Sequence, residues 1–466
     1  MRQVYLPMSF LWSKKFSHPL NGLTRQLREE IYTQPYETIN FGAHRDSIHK
    51  ADNYHPKSWL LVLINWLIVM IWEPYLRLTS LAKWAEEWVW ELIQMEDENT
   101  DYVGLGPVSN PMNMVACYAQ EGPDSYSVRR HRDRLHDYMW MKDEGMLANG
   151  TNGVQSWDTA FITQAIVVAG FADDPKWRPM LTKALEFLED HQLRENVPKQ
   201  DKCYRQPRKG AWPFSNKDQG YTVSDCTAEG LRSTIQLQEM HNYPKLISAD
   251  RLKDSVDCLL LMQNPSGGFT EYETTRGSTK IEWFNAAEVF GNIMIGYDYP
   301  ECTTATVTAL SLFSKFFPDY RAAEIETVKE KAVQYIKRAQ RPDGSWYGSW
   351  GICFTYAAMF ALESLASISE TYSTSEDSRR GCEFLLSKQK EDGGWGESYL
   401  SSEKHVYVHH EHSQVVQTAW ACLALMEAGY PHKEPLQKGM KLLMRRQQKN
   451  GEWLQEAIEG VFNQSW

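Results

Sequence analysis

The chain reads as all-α, and three observations predict it. A helix–turn–aromatic unit recurs through the C-terminal half, the stretches between its copies have the apolar periodicity of amphipathic helices, and strand signals are weak. In each unit an apolar-periodic helix ends in Gln, a short polar turn containing Gly follows, and an aromatic residue closes it. The copies run Gln263–Phe269, Gln340–Trp346, Gln389–Trp395 and Gln447–Trp453, each with a six-residue step from Gln to aromatic. A degenerate copy opens at Gln192 and closes at Trp212. The Gln falls where a helix ends, so its amide is expected to meet carbonyls that lack intrahelical partners. Gly supplies the positive-φ turn, and the aromatic is expected to fold back and stack on the Gln amide. Spacings of 49 residues (340 to 389) to 77 residues (263 to 340) leave room for a helical hairpin or more between copies. A helical solenoid without chemistry satisfies the same pattern, which does not say whether the helices close into a ring.

The other elements follow in chain order. Met1–Pro7 lacks the apolar run of a secretory signal. The longest apolar run, Trp59–Trp72, has 14 residues interrupted by Asn65. That is short of a membrane span, and a buried helix is expected, with one-sided membrane contact as the alternative. Residues 324–339 and 414–428 read as amphipathic helices. Val223–Gly230, VSDCTAEG, sets an acid, a thiol, a hydroxyl and a second acid within five residues. If a helix opens there, Asp225 and Glu229 are i,i+4 and share a face. A protonated carboxyl beside hydrogen-bond donors, with a second carboxyl to resupply it, is a general acid. The plainer reading is a helix start with Asp225 in the first turn and Thr227 and Glu229 solvated.

The totals narrow the class. A chain of 466 residues has room for two or three domains. With net charge −11 and no basic block, nucleic acid is not an expected partner. Eight scattered cysteines without a C-x-x-C pair point to free thiols in a reducing compartment. Trp 18, Tyr 23 and Phe 17 make 12% of the chain, more than core packing needs, so some are expected to line a cavity.

The five Gln…Gly…aromatic units together with VSDCTAEG resemble the oxidosqualene cyclases, the triterpene cyclases, with wording nearest the fungal lanosterol-type members. Supporting stretches are Gln3–Ser9, Gly150–Gln155, Trp157–Phe161, Pro300–Thr304, Gly344–Tyr356 and Gly393–Tyr399, so the resemblance spans nearly the whole chain. It implies a fold of α/α barrels on a monotopic membrane protein, with residues 1–105 as the remainder of a second barrel plus linker and 106–466 as the catalytic barrel. It also implies that relatives continue beyond both ends of this chain, with a cavity His just before residue 1 and a final aromatic stretch beyond Trp466. The catalytic barrel is expected to be incomplete at its C-terminal end.

The same resemblance implies roles. Asp225 matches the acid that protonates the epoxide of 2,3-oxidosqualene and starts a cascade of ring closures. Cys226 and Cys302 match the thiols that hydrogen-bond it, and Glu229 a residue that helps reprotonate it. An epoxide is a poor base, so the acid must be neutral yet strong, with partners that favour its anion once the proton has left. Trp157, Phe214, Tyr272, Trp350 and Phe462 match cavity aromatics, and Val223 a wall residue near the acid. Aromatic faces stabilise a migrating cation without trapping it, by on the order of 1–2 kcal/mol each when desolvated. The expected product is lanosterol or a protostane relative, and the ending Gly460–Ser465 leans to the lanosterol branch. Lys280–Asn285 departs from the family wording, and Trp283 either reshapes a cavity wall or packs outside it.

Protonation chemistry calls for no metal or cofactor. Two alternatives stand beside the cyclase: an inactive remnant or incomplete gene model of one, and another α/α-barrel prenyl-group enzyme. A zinc prenyltransferase needs a metal site, and the only metal-like group in the sequence, His405, His409, His410, Glu411 and His412, reads as a solvated loop. No D-x-D-D or D-D-x-x-D motif is present. Because oxidosqualene dissolves in membranes, the implied location is the cytosolic face of the endoplasmic reticulum or a lipid droplet, with Leu6–Trp12 and Trp59–Trp72 as candidate contacts.

Overall fold

A computed structural model of the chain describes residues 2–142, 145–149 and 153–462. Residues 150–152 of the Gly150–Gln155 motif and 463–465 of the C-terminal motif lie outside the described residues.

The C-terminal half is built from helical hairpins in two layers. Helices Gln155–Val168, Ser224–Ile235, Pro300–Phe316, Phe354–Ser367 and Val415–Glu427 pack each on the next and form the inner layer. Each is followed by an outer partner, respectively Arg178–His191, Ala249–Leu261, Ala322–Ala339, Glu376–Lys388 and Lys433–Arg446. The inner helices suit their place because they are small or apolar on nearly every face. Ser224–Ile235 is buried at every position except Arg232. Outer helices keep one apolar stripe, such as Leu181, Leu185 and Leu188, and present charge to solvent. Alternation of inner and outer helices is the α/α arrangement, and the all-α expectation holds, with two short antiparallel ribbons added among the described residues.

The repeats make the hairpins, though by different bonds from those expected. Gln192, Gln340, Gln389 and Gln447 are C-terminal caps of outer helices. The glycines at 267, 344, 393 and 451 all turn at φ of 89–93°. The Gln amide, however, does not cap its own helix. Gln340 Nε2 donates to Gly344 O (3.0 Å) and to Asp377 O in the next outer helix (2.9 Å), and Gln389 does the same to Gly393 O (2.8 Å) and Pro435 O (2.9 Å). The helix-end carbonyls are taken instead by the indoles. Trp346, Trp395 and Trp453 Nε1 donate to Ile336, Leu385 and Leu443 O, each ten residues back, at 2.7–2.8 Å. In the Gln340 and Gln389 units Gln thus ties the turn to the following hairpin while Trp ties it to its own.

A second correction concerns Trp59–Trp72. It is helical, an α-helix Trp59–Leu67 running into a π-helix Ile68–Leu76 that accommodates Pro74. It is not a buried helix: only Leu61 is buried, and Trp59 is 70% exposed. Arg2–Lys14 packs against Ser80–Asn99 and Ser109–Glu121 around Phe10, Ile93 and Ala116. It leaves Met8 and Trp12 exposed.

Candidate active site

The candidate residues gather where the inner helices begin. Val223 is the N-terminal cap of Ser224–Ile235, in extended backbone, and Asp225 lies in the first turn. Ser224 fixes that start: its N–H donates to Glu271 O (2.9 Å) and its hydroxyl to Thr270 O (2.5 Å). Cys302 lies in the first turn of the neighbouring Pro300–Phe316, whose Pro at the first position suits a helix start.

Asp225 is 1% exposed. Burial pushes its carboxyl up to about 6, against the pull of the Cys226 N–H, its own N–H, and the Cys302 and Cys226 thiols. The Cys226 N–H donates to Oδ1 at 2.8 Å. Both thiols are themselves held well above their ordinary value, by burial and then by Asp225, so they stay protonated and act as donors. The first-turn position adds the favourable end of the helix dipole for an anion. The result is an acid kept neutral by desolvation whose conjugate base is nevertheless well provided with donors.

Three further carboxyls surround it. Glu229 is buried, as is Thr227, so the solvated alternative for both fails. Burial raises Glu229 to about 7, opposed by Arg232, raised again by Glu363 and opposed by Gln164. Gln164 Nε2 donates to it at 2.7 Å, and Arg232 stands 3.9 Å from Glu229 and 2.6 Å from Glu363. Glu271 is raised to about 8 by burial and then by Asp225. Glu301 is raised to about 7 by burial, opposed by the Ser349 N–H, its own N–H and that of Trp350. Asp225 thus stands among carboxyls that burial also holds towards the protonated form, which suits a donor that is afterwards recharged.

The aromatics divide. Trp157, Phe214 and Tyr272 form a file with centroids 6.0 Å apart at each step, and Tyr221 continues it at 5.7 Å from Tyr272. Asp225 and Cys226 are among the groups that push the Tyr272 hydroxyl upward, after burial and Glu271, so this file runs beside the acid. Trp350 packs on Tyr299 at 4.5 Å. Phe462 stands apart, 49% exposed and edge-on to Phe290. Trp283 is also half-exposed and lies outside this group.

Sequence reasoning missed Gln164, Arg232, Glu271, Glu301 and Glu363. Only Arg232, at i+3 from Glu229, and Glu301, beside Cys302, carried a local signal. It also missed a second group with metal-ligand side chains. Asp97, Cys117 and His131 converge in the interior. Asp97 there receives Asn113 Nδ2 at 2.7 Å and the Cys117 thiol at 3.5 Å, so two hydrogen-bond donors already hold it, and His131 Nε2 lies 3.1 Å away. Of the other group, His409–Gln414 is a strand paired with Trp395–Glu397, not a loop, and the His410 ring Nδ1 bonds to the backbone N–H and O of His412.

The family model for the squalene-hopene cyclase C-terminal domain matches residues 154–463. The chain is 84% identical over 465 residues to lanosterol synthase erg7A of Aspergillus fumigatus, covering 100% of this chain and 62% of that protein. It is 59% identical to lanosterol synthase ERG7 of Gibberella zeae (100% and 61%) and 46% identical to lanosterol synthase ERG7 of Saccharomyces cerevisiae (100% and 64%). The chain therefore spans somewhat under two thirds of the length of these relatives. Among solved structures, ent-copalyl diphosphate synthase from Streptomyces platensis aligns with TM-score 0.46 at 16% identity, over 76% of this chain and 54% of that one.

Proposed function

The chain belongs to the squalene-hopene cyclase C-terminal domain family, and on that premise we propose that it carries the acid of a triterpene cyclase acting on 2,3-oxidosqualene. The observation that carries this is Asp225: buried, in a helix first turn, with the Cys226 N–H, its own N–H and two thiols on its carboxyl. In the proposed reaction the Asp225 proton passes to the epoxide oxygen and a C–O bond breaks. The resulting cation is drawn through successive C–C bond formations, and loss of a proton leaves a tetracyclic alcohol of the lanosterol or protostane type. No net redox change occurs and no cofactor is consumed. The file Trp157, Phe214 and Tyr272, with Trp350, offers π-faces to the moving charge. Glu229, with Gln164 and Arg232, supplies the proton that restores Asp225. The lanosterol synthases at 84% and 59% identity support this reading.

The substrate dissolves in membranes, and the exposed apolar surface of Trp59–Leu76 offers a contact with a bilayer face. Its aromatics Trp59 and Trp66 suit the interface. On this reading the protein docks one-sidedly on the endoplasmic reticulum or a lipid droplet.

The test supplies detergent-dispersed 2,3-oxidosqualene to the protein and to its Asp225→Asn variant. Tetracyclic alcohol from the former, and a loss of at least about a thousandfold in the latter with helicity unchanged, is expected. Equal turnover by both refutes the assignment of the acid.

A further inference from the structure

Glu301 is a buried carboxyl that the proposed reaction does not use. It lies in the first turn of Pro300–Phe316, one residue before the Cys302 thiol that donates to Asp225. Its Oε1 accepts the Ser349 N–H at 2.6 Å, and the Trp350 N–H is a second donor to the same carboxyl. Its Oε2 is buried without a partner. The Ser349–Trp350 loop is otherwise held by packing around Tyr356: a Cβ on Gly348 or Gly351 would come within 2.5 Å of that ring. Trp350 O accepts the Val461 N–H at 2.8 Å, and the Trp350 ring packs on Tyr299, just before Glu301 on the same segment. One turn of helix therefore reaches the acid through Cys302 and the aromatic wall through Glu301.

We propose that Glu301 is a positioning residue that fixes the Ser349–Trp350 backbone, and with it the Trp350 ring, relative to Asp225. The reading rests on the proposed cyclase function for its consequence, but not for its geometry. A ring displaced by about 1 Å no longer faces the charge it is meant to stabilise, and such misplacement costs about a hundredfold. What Glu301 contributes is the place of an oxygen rather than a charge. The unpartnered Oε2 fits a protonated carboxyl whose Oε1 still accepts the Ser349 N–H. An amide has the same acceptor, whereas a shorter carboxylate does not reach.

Two measurements on Glu301→Ala, Glu301→Asp and Glu301→Gln test this. The first is hydrogen exchange of the Ser349 and Trp350 amides, which needs no activity. Exchange is expected to rise tenfold to a hundredfold, roughly the loss of one strong hydrogen bond, in the Ala and Asp variants and to stay near wild type in Gln. The second is the product profile from 2,3-oxidosqualene. A fall in kcat of about ten- to a hundredfold with early-terminated products, at little change in KM, is expected for Ala and Asp and is rescued by Gln. Unchanged exchange in Ala and Asp overturns the proposal, as does a Gln variant more impaired than Asp, since that ranks charge above geometry. If Ala does not fold, the Asp and Gln pair decides. If the wild type forms no cyclised product, the cyclase reading fails, and the exchange measurement alone decides whether Glu301 positions the loop.

Discussion

Replacing Glu229 by Gln should stabilise the protein, and increasingly so as pH rises from 5 to 8. Glu229 is 2% exposed, and folding carries its carboxyl from an ordinary 4.5 to about 7. Because the folded value lies above the unfolded one, the native state binds more protons between pH 4.5 and 7. Stability therefore falls as pH rises through that window. At about 1.4 kcal/mol per tenfold change in affinity, the cost is about 1 kcal/mol at pH 5 and about 3 kcal/mol at pH 8. A Gln carries no such cost. It keeps an oxygen for Gln164 Nε2, and Arg232 keeps its closer partner Glu363 at 2.6 Å. Denaturant unfolding at pH 5 and pH 8 should therefore show a gain for Glu229→Gln that grows by about 2 kcal/mol between the two. A variant less stable than wild type at pH 8, or a gain that does not change with pH, would show that Glu229 is not held protonated by burial.

Cys302→Ala removes one thiol donor from Asp225, so the acid should weaken and turnover fall about tenfold, with Cys302→Ser recovering it, measured as product formed per minute. Trp395→Phe leaves Leu385 O without its indole donor in the buried interior and should lower stability by about 1–3 kcal/mol in denaturant melts, whereas Trp453→Phe, at an exposed copy, should cost less. Trp59→Ser with Trp66→Ser should reduce binding to phosphatidylcholine vesicles at least tenfold in a flotation assay, and unchanged binding would refute the proposed contact through Trp59–Leu76.

The sequence by itself determined what is local. Helix periodicity, the six-residue step from Gln to aromatic and the positive-φ glycines are written within a dozen residues. They gave the all-α class and the hairpin ends, and set Asp225 and Glu229 on one face if a helix opens there. The family wording added Cys302, 77 positions from Asp225, which no spacing argument supplies. Tertiary structure decided the rest. Gln164 meets Glu229 across 65 residues, Glu301 meets Ser349 across 48, and Asp97 meets Cys117 across 20, each through hydrogen bonds between separate elements. Burial, too, is a property of the packed layers. The same apolar run, Trp59–Trp72, suits a core helix or an exposed face, and only the placement of its neighbours left it bare. The proton affinity of Asp225 follows the same logic. Its residue type sets a carboxyl near 3.8, and the desolvation that raises it exists only once the inner helices have closed around it.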